Sequence, residues 1–307
     1  MSHFDFVGVG ETMALFTPVH SRILSPRATC IADAAGAESN VARSLALMGA
    51  RSAWVGALGE DLLGALVLQS LADDGVDVSL VARDSQRPTG AIFKSAGAGD
   101  RGVQYLRHQS AGSHFGEVAF ARALQTKTSV LHVSGVTTAL SDTGRALTHE
   151  IVRKDRNGGR VSFDVNFRPS LWGDDAGPVL LEIARAADIV FVGQDEAQSL
   201  WGIETHHEVR RLLPSVPTLV VKDGAHEVTT YSGDDVFVAP TPRREVAEAV
   251  GAGDAFAAGW ILGTLMGHDP LVAMQMGHNV AGVVLSSPLD TPSAEDLLNL
   301  PRWENHS

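Results

Sequence analysis

Apolar positions along this chain fall into short runs separated by stretches with helical spacing. Phe4–Gly10, Ser52–Val55, Val130–Ser134, Val161–Val165, Ile189–Val192 and Thr218–Val221 are rich in Val, Ile and Phe. Runs of this kind predict short strands covered on both faces. Between them, Ser39–Met48 puts Val41, Leu45 and Met48 on one helical face and stops at Gly49. Leu62–Asp73, stopped by Gly75, and Asp142–Lys154 and Asp195–Trp201 read as further helices. Strand–helix alternation at this spacing predicts an α/β fold, a three-layer αβα sandwich with a mostly parallel central sheet. Ligands of such sheets bind beyond the carboxyl ends of the strands.

Two segments break the rhythm. Met13–Asp33 and Gly90–Arg107 lack helical periodicity. The second reads as a hairpin: Ala91–Lys94, a glycine-rich turn from Ala96 to Gly102, then Val103–Arg107. Strands outside the parallel sheet are expected to form a small lid over its edge. Neither a repeat nor an interdomain linker is evident. The expectation is therefore a single domain over residues 1–307, with lid strands from about 13–33 and 90–107.

Composition narrows the partners. A net charge of -12 disfavours a nucleic-acid backbone but leaves room for a small phosphorylated ligand in a local cradle. The single cysteine, Cys30, permits no intrachain disulfide and suits a reducing cytoplasm. No signal-like start and no long uncharged apolar run point toward a membrane. His206 and His207 are adjacent but lack the partners and spacing of a metal motif.

The chemistry concentrates at Gly251-Ala252-Gly253-Asp254, a small-residue turn opening into an apolar helix. Amides of such a turn, together with the positive end of the helix, suit an anion such as a transferring phosphoryl group. Asp254 is then a fixed acceptor for the proton of a substrate hydroxyl. The alternative for so short a stretch in isolation is an Asp that caps a helix after a flexible turn.

Those residues, with Ala35-Gly36-Ala37-Glu38-Ser39-Asn40 and Gly56-Ala57-Leu58-Gly59-Glu60-Asp61, carry a resemblance. The chain resembles the ribokinase-like (PfkB) family of sugar kinases nearly end to end. Within it, Tyr105-Leu106-Arg107, Ser110-Ala111-Gly112-Ser113, His132-Val133-Ser134-Gly135 and Asp164-Val165-Asn166-Phe167-Arg168 are similar to 2-keto-3-deoxygluconate kinases.

The resemblance implies a ribokinase-like fold and an ATP-dependent kinase. Asp254 would be the base, and the amides of Gly251, Ala252 and Gly253 the anion hole. Gly36, Asn40, Tyr105, Arg107, Arg168 and Asp290 would meet the substrate, with Arg168 and Arg107 gripping a sugar-acid carboxylate through planar, bidentate forks. Asn166, Lys222, Gly224 and Asn279 would lie along ATP, the last on a late helix after Gly277-His278. Glu196 would help hold Mg²⁺ through water; it also reads as a first-turn acid that favours its own helix dipole. A homodimer through the lid strands is expected.

Two departures bear on specificity. Glu248 and Ala249 stand where the family usually builds a monovalent-cation loop, so potassium activation is left open. Ile92 stands where a tyrosine is expected in 2-keto-3-deoxygluconate kinases. The expected reaction is phosphorylation of a terminal sugar-acid hydroxyl, with 2-keto-3-deoxygluconate going to its 6-phosphate. The rivals are a kinase of neutral sugars of fructose or ribose type or of nucleosides, and a catalytically silent sugar-binding protein.

Overall fold

The computed structural model describes residues 4–19, 23–95, 102–154, 158–244, 250–287 and 289–301. Glu248, Ala249 and the turn residues 96–101 lie outside these. In chain order the strands are β1 (Phe4–Val9), β2 (Met13–Pro18), β3 (Cys30–Ala35), β4 (Ser52–Val55), β5 (Ala57–Gly59), β6 (Ala82–Asp84) and β7 (Ala91–Lys94). They continue with β8 (Val103–Leu106), β9 (Thr128–Ser134), β10 (Arg160–Asp164), β11 (Ile189–Gly193), β12 (Thr218–Asp223), β13 (Glu227–Ser232) and β14 (Asp235–Pro240).

The main sheet runs β14-β13-β12-β11-β10-β9-β1-β4. Every pair from β4 to β12 is parallel, as the runs of apolar residues predict. Alternate residues feed two separate cores. Val7, Leu131, Val133, Val190 and Val192 enter one, whereas Phe6, Val130, Ile189 and Phe191 enter the other. Helices cover both faces, which gives the three-layer sandwich. Each large apolar side chain fully enclosed in this way contributes about 1.5–3 kcal/mol.

β13 and β14 depart from the parallel pattern by adding an antiparallel hairpin at the edge. β14 is largely exposed, so it lacks the apolar density that marks the buried strands. The chain grows from β1 outward to β4 and then resumes on the other side of β1 with β9. In open sheets of this kind ligands bind at such a reversal, beyond the carboxyl ends of the strands.

Over this end lies a second sheet, ordered β3-β2-β7-β8. In it β7 and β8 are antiparallel, with Ile92 opposite Tyr105 and Lys94 opposite Val103. Met13, Leu15, Ala35 and Ile92 form a small apolar cluster of their own on this sheet. The helix Ala252–Leu265 packs closely against the helix Pro270–Leu285. Gly277 lies within the second of these rather than before it. A Cβ there would come within 2.8 Å of the Phe256 ring, so the glycine serves helix contact and not helix initiation.

Candidate active site

Gly251 caps the helix Ala252–Leu265 with φ 84, and this left-handed conformation favours glycine. A Cβ at Gly251 would also lie 2.3 Å from the Asp290 carbonyl oxygen. The first intrahelical bond runs from Ala255 N to Gly251 O, so the amides before Ala255 have no acceptor within the helix. Gly253 is exposed at the mouth of this turn. These amides form a cradle at the positive end of a long helix, an arrangement whose chemistry suits an anion.

Asp254 is the third residue of that helix and does not cap it. Its Oδ2 instead accepts a 2.9 Å hydrogen bond from Asn40 Nδ2. Asn40 is nearly buried and is held in turn by the Gly36 amide, which donates to Asn40 Oδ1 at 3.3 Å. Gly36 leaves no room for a side chain, because a Cβ would sit 2.2 Å from the Glu11 carbonyl oxygen. Asp254 keeps some accessible surface while protein closes round it on most sides. That enclosure pushes its carboxyl up to about 7. The Asn40 bond and the positive charges of Arg168 and Lys222 oppose the rise, and the Asp164 charge adds to it.

Lys222, next to last in β12, points at this turn. Its Nζ donates to Asp164 Oδ2 at 3.0 Å and lies 3.6 Å from where a Cβ on Gly253 would be. Burial alone would depress the ammonium, but Asp164, Glu196 and Asp254 hold it above its ordinary value. Lys222 is therefore a charged group beside the cradle.

The segment after β10 is shaped by Glu196. Its Oε1 accepts from the Phe167 amide and its Oε2 from the Gly193 amide, both at 2.7 Å. This is half of a capping box, since Gly193 has no side chain to complete it. Burial, then the Asp164 charge, raise the Glu196 carboxyl. Asn166 adopts φ 39 and is buried, and its Oδ1 has no hydrogen-bond partner among the described residues. An orphaned buried acceptor beside Asp164 and Glu196 fits a metal–nucleotide complex, because a hydrated divalent cation brings the missing donors.

The two arginines differ. Arg168 is exposed, donates to Phe167 O at 3.1 Å, and makes no ion pair among the described residues. Asp164, an acid on the same segment, is paired instead with Lys222. Arg107 is committed to Glu11. Its Nε donates to Glu11 Oε2 at 2.8 Å and a second nitrogen joins the same oxygen, while Ser110 Oγ holds Glu11 Oε1 at 2.5 Å. The guanidinium also lies 5.6 Å from the Tyr105 ring centre.

Asp290 is likewise committed, to Lys94 of β7, and both are buried. Gly224, at φ 46, turns the chain after β12 and accepts from Thr241 Oγ1 at 3.1 Å. Asn279 takes a 3.2 Å bond from Gln275 on its own helix and has no described bond to the other site residues.

The structure thus joins Gly36, Asn40, Asp254 and the glycine turn, and sets Lys222 and Arg168 in the same field. Three participants escape sequence reasoning: Asp164 as the partner of Lys222, Glu11 as the partner of Arg107, and Lys94. The signal for Asp164 is a carboxylate ending a buried strand. For Lys94 it is a charge ending the apolar run Ala91-Ile92-Phe93.

A family model described as pfkB family carbohydrate kinase matches residues 6–297. A 2-dehydro-3-deoxygluconokinase of Bacillus subtilis is 36% identical over 296 residues, covering 93% of this chain and 91% of its own length. The crystal structure of a PfkB protein from Polaromonas sp. JS666 is 30% identical at TM-score 0.84, covering 97% of this chain and 100% of its own. The 2-dehydro-3-deoxygluconokinase structure from Thermotoga maritima shares the fold at TM-score 0.85 and 24% identity, over 97% of this chain and 98% of its own.

Proposed function

From the premise that the chain belongs to the pfkB family of carbohydrate kinases, we propose that it phosphorylates the terminal hydroxyl of a sugar acid, 2-keto-3-deoxygluconate (2-dehydro-3-deoxygluconate), at the expense of ATP. The observation that carries this reading is Asp254. It is a carboxylate tuned to about 7 and held by Asn40 beside an open cradle of amides.

In the proposed reaction Asp254 accepts the proton as the sugar oxygen attacks the γ-phosphorus. The cradle at Gly251, Ala252 and Gly253 and the Lys222 ammonium receive the charge on the transferring group. Gly224 and Asn279 flank the nucleotide. Glu196, whose two oxygens each keep a lone pair for water, and Asn166 would hold Mg²⁺, which would supply positive charge against the phosphates.

Arg168, with no acidic partner among the described residues, takes the substrate carboxylate. Gly36, Asn40, Tyr105 and Asp290 surround the sugar. We read residues 1–307 as one kinase unit whose β3-β2-β7-β8 sheet is its lid, excluding water from the reaction. The exposed Ile31, Tyr105 and Leu106 of that sheet support pairing of two lids in a homodimer. No helix among the described residues is long and apolar enough to cross a membrane, and with Cys30 free we place the enzyme in the cytoplasm.

Two observations favour a second reading. Arg107 is already neutralised by Glu11 and Ile92 offers no hydroxyl, so a neutral sugar is the rival substrate. A panel of ketodeoxy sugar acids, fructose, ribose and adenosine with ATP and Mg²⁺, followed by ADP release, separates the two. Highest kcat/KM on a sugar acid is expected, and highest kcat/KM on fructose or ribose overturns the assignment.

A further inference from the structure

The ion pair between Lys94 and Asp290 spans 196 positions of sequence and is enclosed, with side-chain exposures of 8% and 6%. A buried pair of this kind holds a lid no better than apolar side chains of similar volume, because both charges lose their water. What it adds is direction, and the two ends of this pair are informative.

Lys94 is the last residue of β7, on the face that also carries Ile92. The start of β7 is fixed separately. Just before it, the Thr89 amide donates to Asp61 Oδ2 at 2.8 Å, and Thr89 Oγ1 accepts from the Gly59 amide at 2.9 Å. Asp290, at the other end, has its backbone pressed against Gly251. A Cβ on Gly251 would meet its carbonyl oxygen at 2.3 Å, its carbonyl carbon at 2.9 Å and its Cα at 3.0 Å. One residue thus touches the lid through its side chain and backs the anion cradle through its main chain.

We propose that Lys94 is a positioning residue, whose bond to Asp290 sets the lid strand and the Gly251 cradle in register with each other. Resting on the kinase reading above, this predicts that the cradle takes its productive geometry only while the lid is docked. The coupling restrains transfer of the phosphoryl group to water when no sugar is enclosed. Lys94 acts through Asp290 and Gly251 and does not touch the reacting atoms.

The test is Lys94→Met in the full-length enzyme, with two independent readouts. In steady-state kinetics on the sugar acid, kcat should fall about 10–100-fold, as expected when a reacting group is misplaced by about an ångström. KM for the sugar acid should stay within about threefold, and ADP formed per sugar phosphorylated should rise. Lys94→Arg, which keeps the charge, should recover most of kcat. A rise in KM alone would mean a direct substrate contact and overturn the proposal, as would unchanged kcat.

The second readout needs no activity: amide hydrogen exchange at residues 251–254 should quicken in Lys94→Met relative to wild type. Unchanged exchange there overturns the coupling even if the enzyme proves to have another substrate. Absence of ADP release by wild type on every sugar would instead count against the kinase reading. Should Lys94→Met fail to fold, the double substitution Lys94→Met/Asp290→Leu removes both charges. It should lose exchange protection at residues 251–254 in the same way, and a double variant with wild-type exchange there overturns the proposal.

Discussion

Asn40 Nδ2 donates to Asp254 Oδ2 at 2.9 Å, across 214 positions of sequence. The bond ties the glycine-led segment at the start of the helix Ala37–Leu47 to the helix Ala252–Leu265. It also acts on charge. Asn40 favours the ionised form of a carboxyl that burial drives up to about 7.

A base with this titration is half ionised near neutral pH, so kcat/KM should rise with pH through about 7 and level off above it. Asn40→Ala removes a donor that favours the anion, and the acidic limb should move up by about one unit. For stability the sign is opposite. The folded carboxyl binds its proton more tightly than the ordinary value of 3.8, so the stability it lends is full below about 4 and lost as pH rises through about 7. Asp254→Asn, uncharged at every pH, should therefore melt higher than wild type at about pH 8 and show less advantage at about pH 5. Its kcat should be at least about 100-fold lower. An acidic limb that stays in place in Asn40→Ala would sever the proposed link between these two residues.

The central strands and the glycine turn were legible in the sequence because each has a local cause. Strands β1, β4 and β9 to β12 are apolar on both faces, so their runs stand out without knowledge of neighbours. Gly251 is required by its own φ. Pairings between distant segments were not legible. That Arg107 meets Glu11, that Lys222 meets Asp164, and that Lys94 meets Asp290 depends on which strand ends the topology brings together. A charged residue at a strand end looks the same whether solvent or an opposite charge awaits it. The β13–β14 hairpin was missed for a related reason: an edge strand needs few apolar residues, so its pattern is thin.

The Lys222–Asp164 pair predicts two separable effects. Lys222→Met leaves Asp164 nearly buried beside Glu196 with no cation, and destabilisation of about 3 kcal/mol is expected, the lower end for a broken buried pair because Lys222 keeps 18% exposure. The same change removes a charge that favours ionised Asp254, so the acidic limb of kcat/KM should move upward. Chemical denaturation gives the first quantity and a pH–rate profile the second. A stability loss with an unmoved limb would confine Lys222 to a structural role.

Arg168 should show the reverse balance. It is exposed and, among the described residues, its side chain bonds to a neighbouring carbonyl alone, so Arg168→Ala should change stability by less than about 0.5 kcal/mol. If the guanidinium receives the substrate carboxylate, kcat/KM on the sugar acid should drop about 10–100-fold, the loss of a charge-assisted bond of about 1.5–3 kcal/mol. Turnover of a neutral sugar should hardly alter. Equal losses on acid and neutral substrates would show that Arg168 does not discriminate by charge.

Gly251 and Gly267 offer a matched comparison, because both have positive φ, 84 and 80. An alanine at Gly267 meets nothing within 4 Å among the described residues, so Gly267→Ala is expected to incur the left-handed cost of about 1–2 kcal/mol. An alanine at Gly251 incurs the same cost and also drives its Cβ to 2.3 Å from the Asp290 carbonyl oxygen. The loop bearing Asp290 must then move away from the cradle, or the cradle must move away from it. Gly251→Ala is accordingly expected to lose at least about 1–3 kcal/mol more than Gly267→Ala, and to lose kcat by at least about 100-fold because the amides no longer face the transferring group. Gly267→Ala should keep wild-type turnover. Thermal melts and steady-state kinetics on the two variants side by side measure both differences. Equal stability losses, with kcat intact in each, would mean that the wedge between Gly251 and Asp290 neither strains the fold nor aims the amides.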